Sequence, residues 1–265
     1  ENIASYNNYP RVVGETGGKD FIFAHKSAKV RPLAAAIIRG SFEFQGQKCS
    51  ACSRAFVPES IWPEVLATMK EMMKQVKMGD VQDFDTFLAA VIDKASFERC
   101  KGYIDRAKAS PDCEIPIGGG YDDSKGWFIE PTVIVCKKPD YESMVQEIFG
   151  PIVSVYVYPD DELDETLKTC DKASPYALTG AVFAQDREAI VKMEKALLHA
   201  AGNFYINDKC TGAIVGQQPF GGARASGTND KAGTALNMIR WMSPHCVKEA
   251  FNPSEAIAYP YMSEK

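Results

Sequence analysis

The segment Gln45-Gly46-Gln47-Lys48-Cys49-Ser50-Ala51-Cys52-Ser53-Arg54 holds the residues best suited to covalent chemistry. Cys49 follows a helical stretch, and Gly46 precedes it, so a loop can expose the thiol and bring backbone close to a ligand. The thiolate is the working nucleophile, and a positive dipole or a neighbouring cation would lower the thiol pKa from about 8.5. Lys48 is the adjacent cation. Other readings stand beside this one. Cys49 and Cys52 form C-x-x-C, the pattern of a redox pair or of half a zinc site. No second C-x-x-C occurs, and His25, His199 and His245 are scattered. A thioredoxin-like pair usually follows a strand and opens a helix in a smaller domain. A buried, inert thiol is the remaining reading.

Three more motifs are spread along the chain: Gly14-Glu15-Thr16-Gly17-Gly18-Lys19, Glu147-Ile148-Phe149-Gly150-Pro151 and Pro219-Phe220-Gly221-Gly222. Taken singly they are weak. Glu15 reads equally as a solvated or capping carboxylate beside a Gly-Gly turn. Glu147 and Phe149 read as a turn before a strand, with Phe149 in the core. In this order and at these separations, together with Gly46–Cys49, the motifs resemble the aldehyde dehydrogenase superfamily from about Tyr9 to the C-terminus. Residues 46–54 (GQKCSACSR), 203–208 (NFYIND) and 216–231 (GQQPFGGARASGTNDK) are similar to its Δ1-pyrroline-5-carboxylate, or L-glutamate γ-semialdehyde, dehydrogenase branch. One departure is Gly14-Glu15-Thr16 where many members carry Leu-Glu-Leu, which changes packing around the glutamate and leaves its carboxylate.

The resemblance implies a role for each residue. Cys49 would attack an aldehyde carbon, and its own backbone N–H would help hold the oxyanion of the thiohemiacetal. With NAD as cofactor, a thioester would follow, hydrolysed by water that Glu15 activates. Glu147 would hold the nicotinamide ribose hydroxyls, since a carboxylate accepts two O–H bonds, and Phe149 would pack beside the ring. The Ser50 hydroxyl and the Gly212 and Ala213 N–H groups would bind the substrate carboxylate, as glycine-rich loops capture anions through backbone donors. Phe220 would wall the aliphatic part of the substrate. The superfamily also implies a homodimer or higher homo-oligomer built through a C-terminal arm, and the mitochondrial matrix as compartment.

The elements that must position these residues alternate between helical and strand-like patterns. That predicts an α/β fold, a catalytic domain with a largely parallel sheet flanked by helices. Strands are expected over 21–25, 128–135, 152–158, 180–184 and 203–207. Helices are expected over 28–44, 60–78, 93–109 with Asp93 as N-cap, 161–172 and 186–200. Gly79 suits the position just past the second of these helices. Residues 111–126 read as turns, 209–228 as a long loop with five glycines, and 238–251 as a terminal strand or arm. The expected division is 1–19 as the end of a cofactor-binding domain, 20–225 as the catalytic thiol domain, and 226–265 as a return segment and oligomerisation arm.

Composition sets outer bounds. The 265 residues are 45% hydrophobic, enough for a sizeable core. A net charge of -5 with no basic block speaks against nucleic acid. No apolar run approaches the ~18 residues of a membrane span. Eight cysteines spread along so long a chain do not form a disulfide scaffold and read as reduced thiols in an intracellular compartment. No metal site is expected. The sequence starts at Glu1, holds no G-x-G-x-x-G, and shows no targeting segment. The expectation is a piece whose dinucleotide-binding domain lies upstream and which by itself binds NAD poorly and turns over little. A non-catalytic interaction or structural fragment retaining the fold, and a dehydrogenase for another carboxylated aldehyde, are the alternatives.

Overall fold

The computed structural model describes residues 2–263. Its centre is a seven-stranded sheet. The main-sheet strands are β1 (Asp20–Ala24), β2 (Cys52–Pro58), β3 (Cys113–Ile117), β6 (Thr132–Cys136), β7 (Ile152–Tyr158), β9 (Thr179–Phe183) and β10 (Asn203–Ile206). Across the sheet they run β10-β9-β1-β2-β7-β6-β3, all neighbours parallel except the β6–β3 pair. Short two-residue strands, β4 (Tyr121–Asp122) with β5 (Phe128–Ile129) and β8 (Tyr176–Ala177) with β11 (Ala223–Arg224), form separate ribbons.

Strand alternation explains the two-sided core. Along β1, Phe21 and Phe23 face one layer while Ile22 and Ala24 face the other. The first layer is closed by α3 (Lys94–Ala109), α5 (Leu163–Lys172) and α6 (Arg187–Ala196), through Phe97, Ile104, Leu167 and Met193. The second is closed by α1 (Val30–Phe42) and α2 (Trp62–Met73), through Leu33, Ile37, Val65 and Met69. Burial on both faces is why Phe21–Ala24 of β1 and Ala181–Phe183 of β9 read as unbroken apolar runs. Truncating Phe23, stacked on Phe56 at 5.5 Å, would leave a cavity costing about 3–5 kcal/mol. Asp93 caps α3 as expected, accepting from the Ser96 N–H at 2.7 Å.

Several expectations need correction. The central strand β2 was not anticipated, because Cys52, Ser53, Arg54 and Pro58 mask the short apolar run between them. The helix expected over 60–78 ends at Met73, after which Gln75 and Val76 donate to carbonyls three residues back and the chain turns. Gly79 therefore follows no helix end; its N–H donates to the Leu88 carbonyl. The 111–126 stretch contains β3 and β4, whose prolines and half-exposed edge position hide their periodicity. Glu130-Pro131 splits the strand expected over 128–135 into β5 and β6. Residues 238–251 form no strand; the chain leaves a single turn, α7 (Ala235–Met238), and continues without regular structure. The one-turn helix α4 (Glu142–Val145) was also not foreseen. Among the described residues no helix is long and apolar enough to cross a membrane.

Candidate active site

The site lies where β1, β2 and β7 begin. Helix α1 stops at Phe42, two residues before its expected end, because Phe44, Gln45 and Gly46 all take positive φ. Only glycine fits the last of these: a Cβ on Gly46 would lie 2.3 Å from the Gly150 carbonyl oxygen and 2.7 Å from that of Ser41. The reversal leads into a turn closed by the Ala51 N–H on the Lys48 carbonyl at 3.0 Å, with Cys49 and Ser50 at its corner. Gln45 and Gln47 brace it against residues 90–92 through the Ala90 carbonyl and the Ile92 N–H.

Cys49 is half-buried on the wall of a cleft of about 680 Å³. Ser50, Phe149, Gly212, Ala213 and Phe220 line the same cleft. Glu147 lines a narrow recess that shares Lys48, Cys49 and Phe149 with it, so Cys49 sits between the two. Glu15 lines neither; its neighbour Thr16 does. Among the described residues no acceptor takes the N–H groups of Cys49, Gly212 or Ala213. These are donors left for a ligand. The Ser50 hydroxyl is paired with that of Thr211 at 2.8 Å, which fixes its direction. Phe220 is pinned by two backbone bonds with Ala232 and bracketed by the Asn203 side chain, which donates to the Pro219 carbonyl and accepts from the Gly221 N–H.

The expected cationic activation of Cys49 is not present. Lys48 turns to Glu43, 3.3 Å away. Burial pushes the Cys49 thiol pKa up, and the charges of Asp20, Glu15 and Glu147 push the same way, opposed by the Ser50 N–H that faces the sulfur. Burial and then Asp230 raise the Glu15 pKa, while Lys231 opposes. Its backbone is fixed by a short antiparallel ladder in which Thr16 N–H donates to the Ser226 carbonyl and Thr228 N–H to that of Gly14, both at 3.1 Å. Cys52 is buried on the far side of the turn, against Gly40 of α1, with Sγ 3.6 Å from the Arg54 carbonyl oxygen.

Gly17 and Gly18 explain their own motif. The Gly18 N–H donates to Glu147 Oε1 at 2.9 Å. A Cβ on Gly17 would lie 2.6 Å from Glu147 Oε2, and one on Gly18 2.3 Å from the Cys49 carbonyl oxygen. Glu147, with a pKa raised by burial, thus keeps one oxygen against bare backbone at the mouth of the recess. A carboxylate held in this way is the kind of acceptor that a ribose diol would need. Phe149 takes φ +58, a conformation costing roughly 1 kcal/mol or more for a bulky residue, and it puts the ring on the cleft.

Sequence reasoning missed the buried ionic group beneath the nucleophile. Lys19, Asp20 and Arg54 are nearly sealed from solvent. Arg54 donates to the Lys19 carbonyl at 2.9 Å and stacks over Phe21 and Phe56. Burial and then Arg54 push the Lys19 ammonium down to about 7, whereas burial raises the Asp20 carboxyl despite its bond from the Thr179 N–H. The available signal was a Lys-Asp pair placed directly before an apolar strand.

Comparison with known proteins places this architecture. The profile of the aldehyde dehydrogenase family matches residues 1–243. The mitochondrial Δ1-pyrroline-5-carboxylate dehydrogenase of Dictyostelium discoideum is 58% identical over 97% of the chain and 46% of its own length. The Homo sapiens protein of that name is 50% identical over 99% of the chain and 47% of its length. The crystal structure of the Mycobacterium tuberculosis Δ1-pyrroline-5-carboxylate dehydrogenase bound with NAD superposes with a TM-score of 0.90 at 48% identity, over 99% of this chain and 48% of that one. The chain spans about half the length of the curated relatives it matches. By sequence and by fold, it belongs to the aldehyde dehydrogenase family.

Proposed function

We propose that this chain is the thiol-bearing half of an NAD-dependent dehydrogenase that oxidises L-glutamate γ-semialdehyde to glutamate. The observation that carries the reading is one cleft holding Cys49 on one wall and the unpaired Gly212 and Ala213 N–H groups on the other. The first can bond to an aldehyde carbon and the second can take a carboxylate.

In this reading Cys49 reacts as its thiolate, its proton released to solvent; Sγ bonds to the aldehyde carbon as the carbonyl π pair moves onto oxygen, an oxyanion held by the Cys49 N–H. NAD, when bound, supplies the hydride acceptor. Glu15 takes a proton from water as that water attacks the thioester carbon; the C–S bond breaks and sulfur is restored. Glu147 and Phe149 position the nicotinamide ribose and ring. Phe220 covers the methylene chain, and Ser50 joins the anchor through the hydroxyl that Thr211 orients. Residues 1–19 act as the end of a cofactor domain, 20–225 as the catalytic domain and 226–265 as return segment and arm.

The same reading makes the enzyme a homo-oligomer through residues 238–251, supported by exposed Met238, Ile239, Trp241, Met242, Val247 and Phe251. It places the enzyme in the mitochondrial matrix, supported by the mitochondrial relatives. These 265 residues alone turn over poorly, since their sequence holds no G-x-G-x-x-G. The test is NADH formation from glutamate semialdehyde by the intact enzyme and by short aldehydes lacking a carboxylate. Preference for the semialdehyde is expected; equal kcat/KM for propanal would overturn the substrate assignment.

A further inference from the structure

Glu43 lies between the two walls of the cleft. It caps the C-terminal end of α1, and its carboxylate gathers three cations. Arg39 Nε meets Oε1 at 3.0 Å, while Lys48 Nζ at 3.3 Å and Lys209 Nζ at 2.7 Å share Oε2. Lys48 is the residue beside the nucleophile. Lys209 opens the loop that carries Gly212 and Ala213, and a Cβ on Gly212 would sit 3.3 Å from its ammonium. The Lys209 and Glu43 side chains are only 19% and 22% exposed, so their pair is partly desolvated and stronger than a surface pair. Burial alone would raise the Glu43 carboxyl, but Lys209, Arg39 and Lys48 outweigh it, and the group is an anion at neutral pH.

The loop needs such a hold. Gly212 is exposed at φ +92, and neither its N–H nor that of Ala213 has an acceptor within the described residues. At the base of the cleft the walls meet through the Ser50–Thr211 hydroxyl pair and the Cys210 Sγ contact with the Ser50 carbonyl. On the outer side they meet through Glu43. Resting on the semialdehyde reading above, we propose that Glu43 is a positioning residue: by gripping Lys209 it fixes how far the 212–213 donors stand from Cys49, and so sets capture of the substrate carboxylate without touching it.

A rival role for these charges has the opposite sign. If Lys209 merely attracted anions, neutralising Glu43 would strengthen carboxylate binding. If Glu43 is a latch, neutralising it weakens binding. The experiment is alkylation of Cys49 by iodoacetamide in the full chain, read on the Cys49 peptide by mass spectrometry, with glutamate as protectant. Glu43→Gln and Lys209→Met are each expected to raise the half-protecting glutamate concentration about tenfold; in Lys209→Met, which leaves Lys48 on Glu43, the unprotected rate should stay within about twofold of wild type. The double variant should be no worse than either single one, because both remove the same contact. Lys209→Arg, which keeps a charged donor, should recover most of the protection. Unchanged or tighter protection in Glu43→Gln, with wild type protected, overturns the latch alone. Absence of protection in wild type overturns the semialdehyde reading and the latch with it.

Discussion

The two walls of the cleft are built on opposite terms. The nucleophile wall, residues 46–51, is packed so closely that backbone touches backbone: Gly46 against Gly150, and Gly18 against the Cys49 carbonyl. The anchor wall, residues 211–220, is mostly exposed and held at separate points, by Thr211, Lys209, the Asn203 bracket and backbone bonds to Ala232 and Gly233. The difference teaches where position matters. In the proposed reading, bond formation at Cys49 needs a sulfur placed to within fractions of an ångström, whereas holding a carboxylate needs only a loop whose N–H groups are free to converge.

That contrast can be broken wall by wall. The largest effect is expected from Cys49→Ala, which should lower kcat of the intact enzyme by at least about 10⁴-fold while NAD binding, measured by fluorescence titration, stays unchanged. Glu15→Gln comes next: single-turnover kinetics should show thioester hydrolysis slowed about 10²–10⁴-fold with a smaller loss in the first hydride-yielding turnover. Equal slowing of both phases would remove Glu15 from the hydrolytic role. Gly18→Ala attacks the rigid wall through packing alone. Its methyl meets the Cys49 carbonyl, and a loss of about 2–4 kcal/mol in urea unfolding, with reactivity lost at Cys49, is expected.

On the loose wall, Gly212→Ala strains a residue at φ +92, and KM for the semialdehyde should rise about tenfold with kcat little changed. A full loss of kcat would show the two walls to be equally rigid. The smallest effect concerns pH. Because burial and three carboxylates hold the Cys49 thiol above its ordinary value, the thiolate forms only as pH rises past that of a free cysteine, and alkylation should increase there. Glu15→Gln removes one of the charges raising it, so the midpoint should move down; an upward move would contradict the electrostatic account.

The same contrast governs what could be read from the residues. Strands buried on both faces, such as 152–158, show in the sequence because all positions but Ser154 are apolar or aromatic, and Asp93 marks its helix by a side-chain cap. The cleft residues were legible through motif order, and Ser50, Phe149, Gly212, Ala213 and Phe220 converge with Cys49 on one cavity. What the sequence hides is long-range. Strand β2 is concealed because Arg54 is buried within it, its Nε donating to the carbonyl of Lys19, the residue before β1. The tuning of Cys49 depends on where Lys48 turns and on which carboxylates fold in beside the sulfur, and neither follows from sequence neighbours. Residues 238–251 carry apolar side chains that suggested a strand, but no neighbouring strand in the chain pairs with them.

The covalent intermediate is the most direct test. The Glu15→Gln enzyme, mixed with NAD and glutamate semialdehyde and quenched in acid, should carry a glutamyl thioester on the peptide containing Cys49, and Cys49→Ala should carry none. Sustained turnover with no acylated cysteine, or the acyl group on any other thiol of the chain, would contradict the account.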